Sequence, residues 1–346
     1  MNKIFLIMLL FVPIAIIGNY AGLSPILTFF LSALAVIPLA KYIGEATDEL
    51  AIRTGPALGG LLNATFGNAT ELIIGLIAIR SGLLEVVKAS ITGSIIGNLL
   101  LVLGTAMIAG GSRNKIQSFN KTAALASAST LLLAVIALVI PAIFVQTGAT
   151  NAHLIEELSV FVSIFLVIAY MAGLLFSLRT HKHLYVEEVG EYEARWSKTR
   201  SLTVLIVATA FVGWVSEILV GSIEPLVEVL GWTQLFIGVI FVAIIGNAAE
   251  HTSAIVMALK NKMDLALQIS IGSATQIAMF VAPILVFSSL FLGKPMSLIF
   301  NTFELVAIVL SVFITNLIVE DGESNWLEGL QLLMAYAIMA VAFFFH

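Results

Sequence analysis

Apolar runs of roughly 20 residues, separated by short polar breaks, recur along the whole chain. A helix needs about that length to cross the ~30 Å hydrocarbon layer of a bilayer. Strands of a membrane barrel would instead alternate over about 10 residues, and these runs do not alternate. The pattern predicts eleven helical spans, at about 4–22, 25–50, 57–80, 87–111, 121–146, 154–178, 201–221, 232–259, 264–292, 297–319 and 326–345. Most breaks are brief, such as GSRNKIQSFNK at 111–121 and NKMD at 261–264. The extended one is RTHKHLYVEEVGEYEARWSKTR at 179–200. The opening MNKIFLIMLLFVPIAIIG imitates a secretory signal. Its apolar part is long and no clear cleavage pattern follows, so a retained first helix is expected.

Composition agrees with the pattern. The 346 residues are 60% apolar and 11% charged, with a mean hydropathy of +1.08; a soluble domain averages about 25% charged residues. The expected fold class is therefore an all-α polytopic membrane protein whose surroundings are a lipid bilayer. Cysteine is absent, which removes disulfides, thiolate metal sites and cysteine nucleophiles. A net charge of −5, with the basic residues in loops beside apolar runs, leaves no nucleic-acid footprint. The acids Glu187, Glu188, Glu191 and Glu193 in the central break read as a solvated linker surface, with a regulatory cation site as the alternative.

Charge also orients the chain. With eleven spans, thirteen basic residues (Lys3, Lys41, Arg53, Arg113, Lys115, Lys121, Arg179, Lys182, Arg195, Lys198, Arg200, Lys260, Lys262) fall on one side and three (Arg80, Lys88, Lys294) on the other. The positive-inside rule then puts the N-terminus in the cytoplasm and the C-terminus outside.

The pentapeptide GNATE at 67–71 returns as GNAAE at 246–250, 179 residues later. The offset holds without a gap: Ala64 meets Ala243, Glu85 meets Asp264, and Gly93-Ser94 meets Gly272-Ser273. Thr47-Asp48 corresponds loosely to Ser216-Glu217. Spans 2–6 and 7–11 thus read as two copies of a five-helix unit, and an odd number of crossings makes them inverted, as in many secondary transporters. The expected organisation is an N-terminal helix at 1–23, a first repeat at 24–178, a cytoplasmic linker at 179–200 and a second repeat at 201–346.

Glu71 and Glu250 both fall well inside their spans, where an ionised carboxylate costs at least a few kcal/mol unless it meets water or a partner. Gly67 and Asn68, or Gly246 and Asn247, lie four and three positions earlier, on the same face of a continuous helix. Glycine lets a ligand or helix approach, and asparagine adds a neutral oxygen or an N–H. This all-oxygen set suits Ca²⁺ better than metals that prefer imidazole or thiolate. Two carboxylates balance a divalent cation; once it leaves, their mutual repulsion favours protons in its place. Gly93, Ser94, Gly97, Gly272 and Ser273 read first as helix packing. Asn98 and Gln276 either line the same cavity or bond between helices. His251 is either a neutral hydrogen-bonded histidine or a proton-relay group. Asp48 and Glu217 are either interfacial caps or stations on a hydrated proton path.

These motifs resemble the cation/proton exchanger family of Ca²⁺/H⁺ antiporters, within the wider cation/Ca²⁺ exchanger superfamily, and are similar to its Bacillus-type bacterial members. The resemblance covers nearly the whole chain. It rests on GGLLNATFGNATELI at 59–73, GSIIGNLLLVLG at 93–104, FIGVIFVAIIGNAAEH at 236–251, GSATQIAMFVAP at 272–283 and DGESNWLEG at 321–329. It implies a multi-pass exporter of cytoplasmic Ca²⁺ in a bacterial plasma membrane, driven by protons. Glu71 and Glu250 would bind the ion with backbone carbonyls of the same motifs, spans 2 and 7 would move as gates, and Ca²⁺ would be cargo with no cofactor required. Family members often form oligomers, which keeps a homo-oligomer among the expected partners. Relatives with a strongly acidic central helix differ from the scattered acids of this linker. Na⁺/Ca²⁺ exchange on the same fold is the neighbouring alternative. A passive channel needs no paired acids, and an intramembrane enzyme would need a nucleophile or metal set that this chain lacks.

Overall fold

The computed structural model describes residues 3–54, 56–148, 151–181 and 194–346. The four acids of the central break and Lys182 lie outside the described residues. Almost everything else is helical. The helices are α1 (Lys3–Met8), α2 (Phe11–Tyr20), α3 (Pro25–Thr54), α4 (Pro56–Phe66), α5 (Ala69–Ser81), α6 (Leu84–Ile96), α7 (Leu103–Gly111), α8 (Lys121–Gln146) and α9 (Ala152–Leu175). They continue with α10 (Lys198–Gly221), α11 (Ile223–Leu230), α12 (Gln234–Phe236), α13 (Ala243–Gly246), α14 (Ala248–Leu259), α15 (Met263–Gln276), α16 (Ala282–Phe291), α17 (Thr302–Ile318) and α18 (Trp326–Phe345). Widened π turns at Gly97–Val102, Ile237–Val242 and Ile277–Val281 join α6 to α7, α12 to α13 and α15 to α16.

Among the described residues, eight helices are long and apolar enough to cross a membrane, or nine if a bent pair counts as one span. The protein is a multi-pass membrane protein. The shortfall from eleven lies in spans 3, 8 and 10. Span 3 is broken into α4 and α5 by Gly67-Asn68, span 8 bends by 58° between α13 and α14, and α17 is only 17 residues long. Ahead of α17 the backbone is irregular, and where Met296 and Leu298 are buried serine hydroxyls satisfy it: Met296 N donates to Ser289 Oγ at 2.8 Å and Leu298 N to Ser159 Oγ at 3.0 Å. Hydropathy reads such a segment as helix because its composition is apolar.

The sequence offset of 179 reappears in the backbone. Helices begin at 69 and 248, at 84 and 263, and at 103 and 282. The residues that end α5 and α14 also correspond: Gly82 (φ +85°) and Asn261 (φ +58°) take the left-handed conformation that closes a helix. Each closing turn is held by a side chain from the other half of the chain. Gln117 Nε2 donates to Ala258 O and Asn261 Oδ1, both at 2.9 Å, and Lys294 Nζ donates to Arg80 O at 3.0 Å. A cation at a helix C-terminus also complements the helix dipole. Lys294→Met is expected to cost about 1 kcal/mol of stability and to lower the thermal midpoint in detergent, with Lys294→Arg retaining most of it.

Contacts between loops separate the two ends of the bundle. At one, Gln117-Ser118 pairs antiparallel with Glu323-Ser324, and Asn120 N donates to Asp264 Oδ1 at 2.5 Å. Lys115, Lys121, Lys260 and Lys262 neighbour these residues in the chain, so this is the basic end. At the other, Arg80 forms an ion pair with Glu217, Lys88 Nζ donates to Ile299 O at 2.9 Å, and Gln146 Nε2 donates to Thr302 Oγ1 at 3.2 Å. The long helices α3 and α10 pack along each other beside the core. At the basic end Trp196 straps them: its N–H donates to Glu49 Oε2 at 2.9 Å, and its carbonyl accepts from Arg53.

Candidate ion-binding site

The two motifs meet where span 3 and span 8 break. Asn68 and Asn247 each hold the position just before a helix, so Glu71 and Glu250 occupy the first turns of α5 and α14. The continuous helix face expected from spacing is therefore replaced by a chain break that aims a helix N-terminus at each acid. The positive end of the helix dipole favours a carboxylate there, and the preceding half-helix ends in carbonyls without intrahelical partners.

Packing then brings the acids together. A Cβ on Gly246 would lie 3.1 Å from Glu71 Cγ and 3.3 Å from its Oε1. The bare backbone of the second motif is thus what admits the carboxylate of the first. Glu71 and Glu250 are close enough to act on each other electrostatically. Their surroundings are asymmetric. Asn68, 1% exposed, donates from Nδ2 to Gln276 Oε1 at 2.6 Å. Asn247, equally buried, donates to Ser94 Oγ and Ala243 O, each at 2.8 Å, and accepts from Asn98 Nδ2 at 2.7 Å. Asn98 Nδ2 also reaches Ser273 Oγ at 3.0 Å.

After these bonds a set of oxygens is left over. Glu71 Oε1 and Oε2, Glu250 Oε2, Asn68 Oδ1 and Asn98 Oδ1 are buried with no hydrogen-bond partner. A buried polar atom without a partner is expensive. Here the unpartnered atoms are all oxygen acceptors, on the two motifs and on Asn98, which bonds Asn247, and oxygen donors are the type that a hard cation takes. Among the described residues, no three or more His, Asp or Glu side chains are grouped to hold a metal ion.

The structure brings Gly67, Asn68, Glu71, Gly246, Asn247, Glu250, Asn98 and Gln276 into one region, and resolves what spacing left open for two of them. Asn98 and Gln276 both bond between helices, and Asn98 keeps a free oxygen. His251 follows Glu250 on α14, half-buried. Asp48 lies on α3 at the basic end, at an exposed position. Glu217 lies at the opposite end, exposed and paired with Arg80. Sequence reasoning gave Ser94 and Ser273 to packing, whereas both belong to the Asn247 network. Their recurrence at the 179 offset, next to glycine, was the available signal. Glu304 was not singled out; it is 3% exposed and closes a capping box with Asn301 while accepting from Thr92 Oγ1 at 3.0 Å. Asn247→Ala strands several buried groups and is expected to cost about 3 kcal/mol, read as a drop in detergent unfolding midpoint.

Known proteins resemble the chain over nearly its whole length. The chain is 49% identical to a Ca(2+)/H(+) antiporter of Aphanothece halophytica, over 100% of this chain and 97% of that one. It is 47% identical to the Ca(2+)/H(+) antiporter ChaA of Bacillus subtilis strain 168, over 99% of each. The solved structure of native YfkE matches with a TM-score of 0.88 at 43% identity, over 99% of this chain and 100% of that one. The sodium/calcium exchanger protein family matches residues 24–179 and 200–345, and the chain belongs to that family.

Proposed function

We propose that the chain is a secondary-active Ca²⁺/H⁺ antiporter in which Glu71 and Glu250 form one site shared by Ca²⁺ and protons. The observation that carries this reading is the group of buried, unpartnered acceptor oxygens on Glu71, Glu250, Asn68 and Asn98. Ca²⁺, as cargo, would take these oxygens together with backbone carbonyls of the two breaks. When it leaves, two adjacent desolvated carboxylates take up protons. Competition for one site couples the two fluxes. The names of the relatives support protons rather than sodium as the second ion.

Eleven crossings in two inverted repeats fit this reading. They are supported by the matched helix starts, the paired left-handed caps and the two separate stretches of the family match. The basic end is then cytoplasmic, with the N-terminus inside and the C-terminus outside.

Alternating access draws support from a difference between equivalent positions. At Gly93 the backbone of α6 touches the π turn after α12, and an added Cβ would lie 2.0 Å from Val239 O. Phe29, Phe30, Trp232 and Phe236 crowd around Phe241 on that side, with ring centroids 5.3 to 6.0 Å apart. The counterpart Gly272 has nothing within 4 Å of such a Cβ. It lines a cavity of about 660 Å³ shared with Gly60, the counterpart of Val239. One unit is closed at the far end where its copy is open at the basic end. Exchanging these two arrangements would expose the site to the other side.

Proteoliposomes test the function. An imposed pH gradient should drive uphill Ca²⁺ accumulation, and an imposed Na⁺ gradient should not. Accumulation driven by Na⁺ alone would replace this reading with Na⁺/Ca²⁺ exchange, and simple equilibration would make the protein a channel.

A further inference from the structure

At the end of the bundle opposite the basic one, a cavity of about 410 Å³ opens between the end of α2, the start of α3 and the end of α10. Asn19, Tyr20, Thr28, Trp214, Glu217 and Ser222 give it a polar and aromatic lining, and no basic residue or motif residue lines it. Two helices end here and two begin: α2 stops at Tyr20 and α10 at Gly221, while α3 starts at Pro25 and α11 at Ile223. Their dipoles therefore offset, and the charge of the cavity is that of Glu217. Arg80, which is not in the lining, takes Glu217 Oε1 and leaves Oε2 for the cavity. The hydroxyl of Ser222 donates to Leu219 O at 2.7 Å and that of Thr28 to Leu23 O at 3.5 Å, so both present lone pairs to a ligand. Tyr20 and Trp214 are exposed rings near helix ends, the residue types that gather at the level of lipid headgroups.

A carboxylate, hydroxyl oxygens and two aromatic rings suit an organic ammonium, which the ring faces attract. They suit Ca²⁺ poorly, because it takes about six to eight oxygens and gains nothing from a ring. The approach to the cavity is apolar. Leu23 belongs to its lining, and Ile14, Ile17 and Leu27 on the neighbouring turns of α2 and α3 are exposed. In a bilayer these side chains meet acyl chains, which hold a headgroup at the mouth of the cavity. We propose that the cavity binds the ammonium group of an aminophospholipid from the leaflet at this end, with Glu217 as its anion and Tyr20 and Trp214 as its walls. The lipid phosphate sits at the rim, where the amide of Asn19 can donate to it. So placed, the lipid ties α2, which lies outside the two repeats, to α10.

Native mass spectrometry of the full-length protein, ejected from nanodiscs of equal phosphatidylethanolamine and phosphatidylglycerol, counts the lipids that each chain retains. Wild-type protein should retain one phosphatidylethanolamine, preferred about fivefold over phosphatidylglycerol, as suits one solvent-accessible ion pair. Glu217→Gln should abolish that preference. Arg80→Gln breaks the same ion pair within the protein but frees the second carboxylate oxygen, so it should preserve or raise the preference. Trp214→Leu should lower it about threefold. A wild type without preference overturns the proposal. So does an equal loss in Glu217→Gln and Arg80→Gln, which would make the ion pair a structural tie and nothing more. If free ethanolamine displaces the retained lipid from wild-type protein, the cavity takes soluble amines and the assignment to a lipid falls. Both wild-type comparisons decide the matter even where a variant fails to fold.

Discussion

Glu71→Gln and Glu250→Gln should each abolish Ca²⁺/H⁺ exchange, a loss of roughly a hundredfold or more in rate, while leaving protein that purifies as a folded species. Glutamine keeps the size of the side chain but removes both the negative charge and the capacity to exchange a proton. In neither variant can two carboxylates balance a divalent ion. Stability should not suffer, because the unpartnered Glu71 oxygens and Glu250 Oε2 contribute no hydrogen bond that glutamine would break, and neutralising a buried acid lowers its desolvation cost. Neither substitution should be rescued by the other, since the site needs both members. Undiminished transport in either variant would refute the assigned roles.

The second large effect separates two glycines that the sequence makes equivalent. Gly93→Ala should prevent α6 from seating, because the new Cβ would meet the backbone of Val239 at 2.0 to 2.6 Å and a backbone neighbour cannot turn aside. Overpacking of this kind costs about 3 kcal/mol or more, seen as low yield of folded protein or a much lower unfolding midpoint. Gly272→Ala should behave differently, since nothing lies within 4 Å of its Cβ. The protein should fold and bind Ca²⁺, yet fail to turn over, because the opposite state requires α15 to close against α4 as α6 closes on Val239. Normal transport by a folded Gly272→Ala protein would contradict alternating access by exchange of the two arrangements.

Much of this was legible in the chain itself. Apolar run lengths report the solvent of a helix directly, so the membrane class follows from Ile, Leu, Val and Phe spacing alone. The 179-residue offset was visible because carboxylates are rare inside such runs, and the backbone repeats it down to Gly82 and Asn261. Local pattern could not show that Gly67-Asn68 and Gly246-Asn247 break their helices. Glycine and asparagine also occur within helices, and only tertiary packing decides between the outcomes. The partners of the motif amides were hidden for a similar reason. Asn68 bonds Gln276 across 208 residues, and Asn98 bonds Asn247 across 149; no period along one helix encodes either pairing. Gln117 and Lys294, each sealing a helix in the opposite half, sit in polar loops that read simply as connections. The difference between Gly93 and Gly272 lies furthest from the sequence. Identical residues at equivalent positions can differ only through the conformation that each copy adopts.

The central claim is that Ca²⁺ and protons occupy the same two carboxylates. Its most direct test is the number of protons released when Ca²⁺ binds purified protein, measured by titration calorimetry in buffers of different ionisation enthalpy. Wild-type protein should release protons on binding, and its Ca²⁺ affinity should weaken as pH falls, because a protonated carboxylate cannot ligate the ion. Glu71→Gln combined with Glu250→Gln should neither bind nor release. Ca²⁺ binding of undiminished affinity with no proton release, in the wild type or in the double variant, would contradict a shared site.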